Sequence, residues 1–358
     1  MENSDLPDRT GGIFKEKGND PGRRSDYFQN KCSGSRSSNM VGKSKAMKAL
    51  CEKVVKISQS EANVLIYGES GTGNELIARA IHAHSNRAAN SFVAVDCVAL
   101  PGTLLENELF GHEKGAFTGA DWAKTGLLEY AHNGTLFLDE IVELDFALQA
   151  KLLRMLQERE FRRVGGKEII KVNLRVVAAT NKIPWQAVKT GLLREDLYYR
   201  LNVIPLETPP LRQRKEDIPI LIDYYQDLLG QAKGIVPKTV ESTALEALLN
   251  YSWPGNVREL QNLVENLISL VDGRRIALSD LPAHITRAPE LRDFSRTELL
   301  DLPFHKARNL LSQEFEKEYF INLLKKERGN ISKAAHCAEI SRKTLYRIIE
   351  KYDLQRLV

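Results

Sequence analysis

Residues 64–75 read VLIYGESGTGNE, an apolar run that stops at a glycine and passes into a glycine-rich turn. Val64 to Tyr67 make a short buried strand, and the turn opens onto a helical stretch, Glu75 to His84. Strand, glycine loop and helix in that order separate a phosphate-binding loop from a chance match. Gly68, Gly71 and Gly73 let backbone N–H groups turn inward toward phosphate oxygens, with Glu69 and Ser70 completing the turn. Thr72 or Glu75 falls in the neighbourhood of a Mg2+ ion. A lysine usually follows the last glycine; here Asn74 stands there, a hydrogen-bond donor with no charge. A unit charge about 4 Å from a phosphate, at an effective dielectric near 20, is worth roughly 4 kcal/mol, so nucleotide binding and phosphoryl transfer should both be weakened.

Three further strands follow. Phe92 to Val95 runs into Asp96, and Thr135 to Leu138 runs into Asp139 and Glu140. The second of these endings suits a metal-and-water site, with Asp139 holding Mg2+ and Glu140 orienting the attacking water. Leu174 to Ala179 ends in Thr180 and Asn181, whose polar side chains are placed to sense a terminal phosphate. Upstream, Met47, Leu50, Val54 and Ile57 recur at helical spacing between Ser44 and Ser58. This alternation implies an α/β fold, a doubly wound and mostly parallel sheet with its ligand at the strands' carboxyl ends.

With 358 residues, 42% hydrophobic and 27% charged, the chain can bury a sizeable core and form two or three domains. No run approaches the roughly 18 apolar residues of a membrane span, and the polar first 30 residues show no signal peptide, so a cytoplasmic location is expected. Cys32, Cys51, Cys97 and Cys337 are scattered without ligand spacing and read as ordinary reduced thiols. Residues 1–40 lack any apolar period and read as a disordered arm.

Between the two nucleotide elements lies ELFGHEKGAFTGA, Glu108 to Ala120. Gly115 and Gly119 flank Phe117 and Thr118, which favours a protruding tip that offers its ring to a partner over a core aromatic under a turn. The stretch resembles the signature loop of bacterial enhancer-binding proteins, the AAA+ activators of sigma-54 RNA polymerase. The resemblance covers about Val41 to Thr286, with GTLFLDE, LQAKLLR, REDLYYRLNVI, PPLRQRKEDIP and WPGNVREL in family order, and extends into the C-terminal segment. It implies an AAA+ P-loop NTPase with a helical lid, using ATP and Mg2+, with the tip Gly115, Ala116, Phe117, Thr118, Gly119, Ala120 contacting sigma-54. Residues 162–168 resemble the second loop beside it. Arg194 and Arg200, which by themselves would also suit surface ion pairs, correspond to arginine fingers that reach a neighbouring subunit's nucleotide, and so imply a homo-oligomeric, hexameric ring. Arg258 corresponds to a second sensor on the lid. Asp96 matches a switch position that restrains Glu140, although an acid there would repel it. Val142 and Leu193 depart from the glycine and phenylalanine usual in the family. Only Asn74 touches the chemistry.

The C-terminal stretch GNISKAAHCAEISRKTLYRIIEKYDL, Gly329 to Leu354, follows a predicted helix with Phe315, Tyr319 and Leu323 on one face. Ala334 and Ala335 suit a close helix crossing, Ser341 can cap the next helix, and Ile340, Leu345 and Ile348 give it an apolar face, a helix-turn-helix similar to the Fis type. From Arg328 onward seven Lys/Arg stand against three Asp/Glu, a net of +4 that equals the whole chain's excess. Ser341, Arg342, Lys343, Thr344, Tyr346 and Arg347 would face double-stranded DNA. The expected organisation is an arm (1–40), an α/β subdomain (41–211), a lid (212–287), a linker (288–311) and a DNA-binding domain (312–358). The reading is a sigma-54-dependent regulator that binds upstream DNA and uses ATP binding and hydrolysis in a ring to remodel the polymerase. The alternative is a hydrolysis-impaired regulator that holds DNA and sigma-54, because Asn74 replaces the lysine.

Overall fold

Five parallel strands carry the nucleotide elements: β1 (Val64–Tyr67), β2 (Phe92–Asp96), β3 (Thr135–Asp139), β6 (Arg175–Thr180) and β7 (Ile204–Glu207). Two short pairs stand apart from this sheet: β4 (Glu160–Phe161) with β5 (Ile170–Lys171), antiparallel, and β8 (Thr239–Val240) with β9 (Arg275–Ile276), parallel and in the lid. The computed structural model describes residues 40–233, 237–286 and, within 312–351, all but 313, 314, 317, 318, 325, 328 and 339. The expected arm, the 288–311 linker and Cys32 lie outside the described residues.

Spatial order in the sheet is β2-β3-β6-β1-β7. The strand that feeds the glycine loop therefore sits inside the sheet, where Val64, Leu65 and Ile66 are fully buried, as a continuous apolar run between two helix layers requires. In β6 every residue is buried. Register sets Tyr67 beside Thr180 and Asp96 beside Asp139, so the loop after β1 and the polar ends of β6, β3 and β2 emerge along one edge. Strand β7 was not expected. Its Pro205 interrupts the pattern, and at the sheet's edge the missing N–H breaks no second ladder.

The helix Lys45–Ser58 buries Met47, Leu50, Val54 and Ile57, the face its spacing predicts. Ser44 caps it, accepting from the Met47 N–H at 3.3 Å. Arg175, only 1% exposed, donates to the carbonyls of Ile57 at 2.8 Å and Ser58 at 3.1 Å, satisfying two helix-end acceptors. The lid packs the helices Ile218–Lys233, Ser242–Asn250 and Asn256–Leu270 around Trp253, Leu260 and Leu248. Asp217 ties the lid back to the first helix, accepting from the Lys43 N–H (2.7 Å), the Ser44 N–H (2.8 Å) and the Ser44 hydroxyl (2.7 Å).

After Thr286 the chain forms a second unit. In it the helices Ile331–Cys337 and Arg342–Lys351 enclose a small core of Phe320, Leu324, Ala334, Ala335, Leu345, Ile348 and Ile349. The expected face of Phe315, Tyr319 and Leu323 is not the one that enters it. Phe315 is 68% exposed, Tyr319 40%, and Leu323 packs only partly; the core takes the neighbouring positions Phe320 and Leu324 instead. Cys97 and Cys337 are free thiols, but Cys51 is disulfide-bonded, contrary to the expectation for all four. Among the described residues no helix is long and apolar enough to cross a membrane.

Candidate functional site

A cleft of about 330 Å³ lies between the sheet edge and the lid, lined by the loop Ser70–Glu75, by Asp139 and Glu140, and by Arg214 and Arg258. The loop is seated by lid backbone. A Cβ on Gly71, whose φ is +78°, would stand 2.3 Å from the Gly255 carbonyl oxygen, and the Val257 N–H donates to the Gly71 carbonyl at 3.0 Å. Asn256, itself fully buried, donates to the Ser70 carbonyl (3.0 Å) and to Glu69 (3.2 Å). Arg212 grips Glu69 through its two terminal guanidinium nitrogens and holds its carboxyl below the usual range.

Asn74 opens the helix Asn74–Ala83, directly after Gly73 in the left-handed conformation. Its side-chain oxygen is turned toward two hydroxyls, those of Thr72 and Thr208, at 3.3 Å each. These two threonines are themselves linked at 2.9 Å, and Thr72 donates to the Glu69 carbonyl at 2.7 Å. Thr72 is thus buried, with its hydroxyl committed inside the loop. Glu75 pairs with Arg79 at 2.7 Å and raises the pKa of Asp139 across the cleft.

Burial is the main reason the Asp139 carboxyl titrates above its ordinary range, with Asp96 and Glu75 adding repulsion against the Glu140 N–H and Arg258. Burial likewise raises Glu140, helped by Asp139 and Glu143. Glu140 sits in the left-handed region (φ 53°) and accepts from the Asn181 N–H at 2.9 Å, so Asn181 meets it through backbone. Asp96 instead accepts from the Val98 N–H at 2.9 Å and acts on Asp139, the residue beside it in register. The structure brings the switch candidate to Asp139 and leaves Glu140 with Asn181.

The raised carboxyls carry a pH signature. The folded protein takes up these protons at a higher pH than the unfolded chain, so acidification toward the carboxylate range stabilises the fold through this pair. Asp139→Asn is therefore expected to raise the melting temperature of ligand-free protein at pH 7, with a gain that shrinks as pH falls. Calorimetry of both proteins across that window checks it.

Arg258 donates to the Ser70 hydroxyl at 2.9 Å and lines the cleft. Arg194 and Arg200 do not line it. Arg194 precedes the helix Glu195–Leu201 and pairs with Asp196 at 2.8 Å, while Arg200 donates to the Leu156 carbonyl at 2.9 Å. Away from the cleft, the loop Gly115–Ala120 closes on itself through the Gly115 N–H to the Ala120 carbonyl (2.8 Å) and leaves Phe117 42% exposed. A Cβ on Gly115 or Gly119 would meet nothing within 4 Å, but the loop is not free of the core: Phe117 meets the His112 ring edge-on at 5.0 Å, and Ala116 lies against Gly165. Its base is clamped to the 162–168 segment: Arg163 holds Glu129 through two bonds of 2.9 Å and Glu113 at 3.0 Å. In the C-terminal unit Ser341 accepts from the Thr344 N–H (3.1 Å), and Ser341, Arg342, Lys343, Thr344, Tyr346 and Arg347 are all exposed on one helix whose other face packs inward.

A model of the sigma-54 interaction domain matches residues 40–207, one of an AAA+ ATPase lid domain matches 212–296, and one of the Fis family of bacterial regulatory proteins matches 313–352. The regulatory protein AtoC of Escherichia coli K12 is 46% identical over 313 residues, covering 87% of this chain and 67% of its own. The chain belongs to the sigma-54-dependent enhancer-binding proteins. The transcriptional regulatory protein ZraR of the same organism is 45% identical over 307 residues, 86% of this chain and 67% of its own. NtrX from Brucella abortus, crystallised with ADP, superposes with a TM-score of 0.66 at 36% identity, covering 88% of this chain and 69% of that one. Its ATP complex gives 0.65 at 36%, over 88% and 70%. This enhancer-binding protein is a sigma-54-dependent transcription regulator with an AAA+ α/β core, a helical lid and a Fis-type helix-turn-helix. Its cleft also uses residues that no motif reading selected. Thr208, Asn256 and Arg214 reach the glycine loop from far along the chain, Arg214 through the Thr72 carbonyl at 3.2 Å. For Asn256 the signal in the sequence was an asparagine directly after Pro254 and Gly255, a residue type that tolerates the left-handed backbone it adopts (φ 51°).

Proposed function

We propose that this regulator binds ATP with Mg2+ between its glycine loop and lid, assembles into a hexameric ring, and passes the nucleotide state through the Gly115–Ala120 loop to sigma-54 RNA polymerase. The C-terminal helix holds upstream double-stranded DNA. The observation that carries the reading is the convergence on one cleft of the loop Ser70–Glu75, Asp139, Glu140 and the lid's Arg258. The donor set fits the groups: backbone N–H at a helix start suits phosphate, and the half-buried carboxylates of Asp139 and Glu140, which repel one another, suit a hard divalent cation. That NtrX was crystallised with ADP and with ATP supports the same assignment here. When bound, the cation would offset charge on the phosphates.

Each residue has a part in this reading. Asp139 holds the cation, and Glu140, oriented by Asn181, positions water. Asp96 adjusts the pair, and Arg194 and Arg200 reach a neighbouring subunit. The segments 41–211, 212–287 and 312–358 act as core, lid and DNA-binding domain. A second reading, in which hydrolysis is impaired, is favoured by Asn74, an uncharged side chain whose oxygen faces the Thr72 and Thr208 hydroxyls at 3.3 Å.

Phe117→Ala tests the loop. Open-complex formation at a sigma-54 promoter is expected to fall at least tenfold, about 1.4 kcal/mol or more, with nucleotide and DNA binding unchanged. Unaltered open-complex formation would remove the loop from the mechanism.

A further inference from the structure

We propose that Arg214 is the cation that serves the phosphate loop of this chain: held on the Thr72 carbonyl, it sets the cleft's affinity for a nucleotide's polyphosphate where Asn74 supplies no charge. The inference rests on the cleft reading of the proposed function and adds a positioning residue to it. Three arginines reach the loop, and their surroundings rank them. Arg212 is neutralised by Glu69, which it meets at 2.6 Å. Arg258 donates to the Ser70 hydroxyl from an exposed position, where water and salt screen it. Arg214 is 4% exposed and donates to the Thr72 carbonyl at 3.2 Å. At an effective dielectric near 20 its charge acts about four times as strongly as one facing bulk water at the same distance.

That charge has no hydrogen-bonded anion. Asp217, three residues on, gives its oxygens to the Lys43 N–H, the Ser44 N–H and the Ser44 hydroxyl, and acts on Arg214 through space. One terminal nitrogen of Arg214 meets the Met47 sulfur at 2.8 Å, a weak acceptor. Its Nε–H is buried and has no partner among the described residues. Burial lowers the pKa of the guanidinium, which still stays charged at neutral pH. A buried cation without a bound anion costs the fold stability. Arg214 lines the cleft, so the anion that offsets it is the one the cleft receives.

The geometry also gives a route from this charge to the ligand. The Thr72 carbonyl and the Gly73 N–H are two ends of one peptide group, and Gly73 lines the cleft at the start of the helix Asn74–Ala83. A guanidinium on the carbonyl end fixes that peptide and polarises it, which strengthens the N–H end as a donor. The attraction grows with the negative charge of the ligand. A triphosphate therefore gains more from Arg214 than a monophosphate does, whereas a residue that merely supports the loop would serve both alike.

Full-length protein with Mg2+ is titrated with a fluorescent ATP analogue, which ATP, ADP and AMP then displace. Arg214→Met should weaken ATP at least tenfold, about 1.4 kcal/mol, and AMP by less than about threefold, with ADP between them. The ligand-free melting temperature of this variant should hold or rise, since methionine suits a site beside Met47 and removes the buried charge. Arg214→Gln keeps a donor for the Thr72 carbonyl and carries the same test should the apolar side chain disturb folding. Its loss of ATP affinity should match that of Arg214→Met. ATP binding by Arg214→Gln within twofold of the natural chain would overturn the role of the charge. Equal losses for ATP and AMP would reduce Arg214 to a support of the loop. A natural chain that binds none of the three nucleotides would overturn the cleft reading itself.

Discussion

Asn74→Lys is expected to raise ATP turnover by the purified protein at least a hundredfold and to tighten ATP binding. The new ammonium would lie at the start of the helix Asn74–Ala83, where backbone N–H groups already point toward the phosphate position. A charge about 4 Å from a phosphate contributes roughly 4 kcal/mol at an effective dielectric near 20, and a hundredfold requires only about 2.7 kcal/mol of it. The substitution leaves no orphan behind. Thr72 and Thr208 lose the Asn74 oxygen but keep each other at 2.9 Å, and Thr72 keeps the Glu69 carbonyl at 2.7 Å. Phosphate release and titration of a fluorescent ATP analogue measure the two effects. Equal, robust turnover in both proteins would show that the missing charge is made good by another group.

Trp253→Ala is expected to cost the lid about 3–5 kcal/mol, the range for removing a fully buried large aromatic. The indole N–H also donates to the Leu248 carbonyl at 2.9 Å, and the ring meets Tyr251 edge-on at 5.1 Å. At φ 53° the backbone is strained for a bulky residue, and alanine would bear the same strain without the packing. The effect reaches the cleft. The Asn256 N–H bonds the Trp253 carbonyl at 2.9 Å, and Asn256 and Arg258 are the lid's contacts with Ser70. Nucleotide affinity should fall together with stability. Urea unfolding and nucleotide titration of one preparation check the pair of effects, and a loss below about 1 kcal/mol would mean that the lid core closes over the cavity.

The elements of the site were legible because each is written locally. An apolar run of strand length ending in glycine or carboxylate declares a strand and what stands at its end, as at Tyr67–Gly68 and Leu138–Asp139. The exposed face Arg342–Arg347 was legible for the same reason, since Leu345, Ile348 and Ile349 turn the other way. Strand β7 was not, because Pro205 breaks its pattern and only an edge position tolerates it. The face of Phe315 and Tyr319 misled, because helical spacing says which residues lie together but not which of two adjacent stripes a small core will accept.

The sequence alone therefore determined the local elements: a glycine loop without its lysine, a carboxylate pair at a strand end, the Gly115–Ala120 loop and a C-terminal helix-turn-helix with an exposed basic helix. Only the tertiary structure decided what surrounds Asn74. Thr208 lies 136 residues from Thr72, yet their hydroxyls meet at 2.9 Å because β7 runs beside β1. Arg214 and Asn256 likewise arrive from the lid. Local spacing encodes which elements form, since backbone hydrogen bonding and side-chain periodicity act over a few residues. Which distant groups share a cleft depends on how sheet and lid pack to bury their apolar faces, a property of the whole unit and of no single motif.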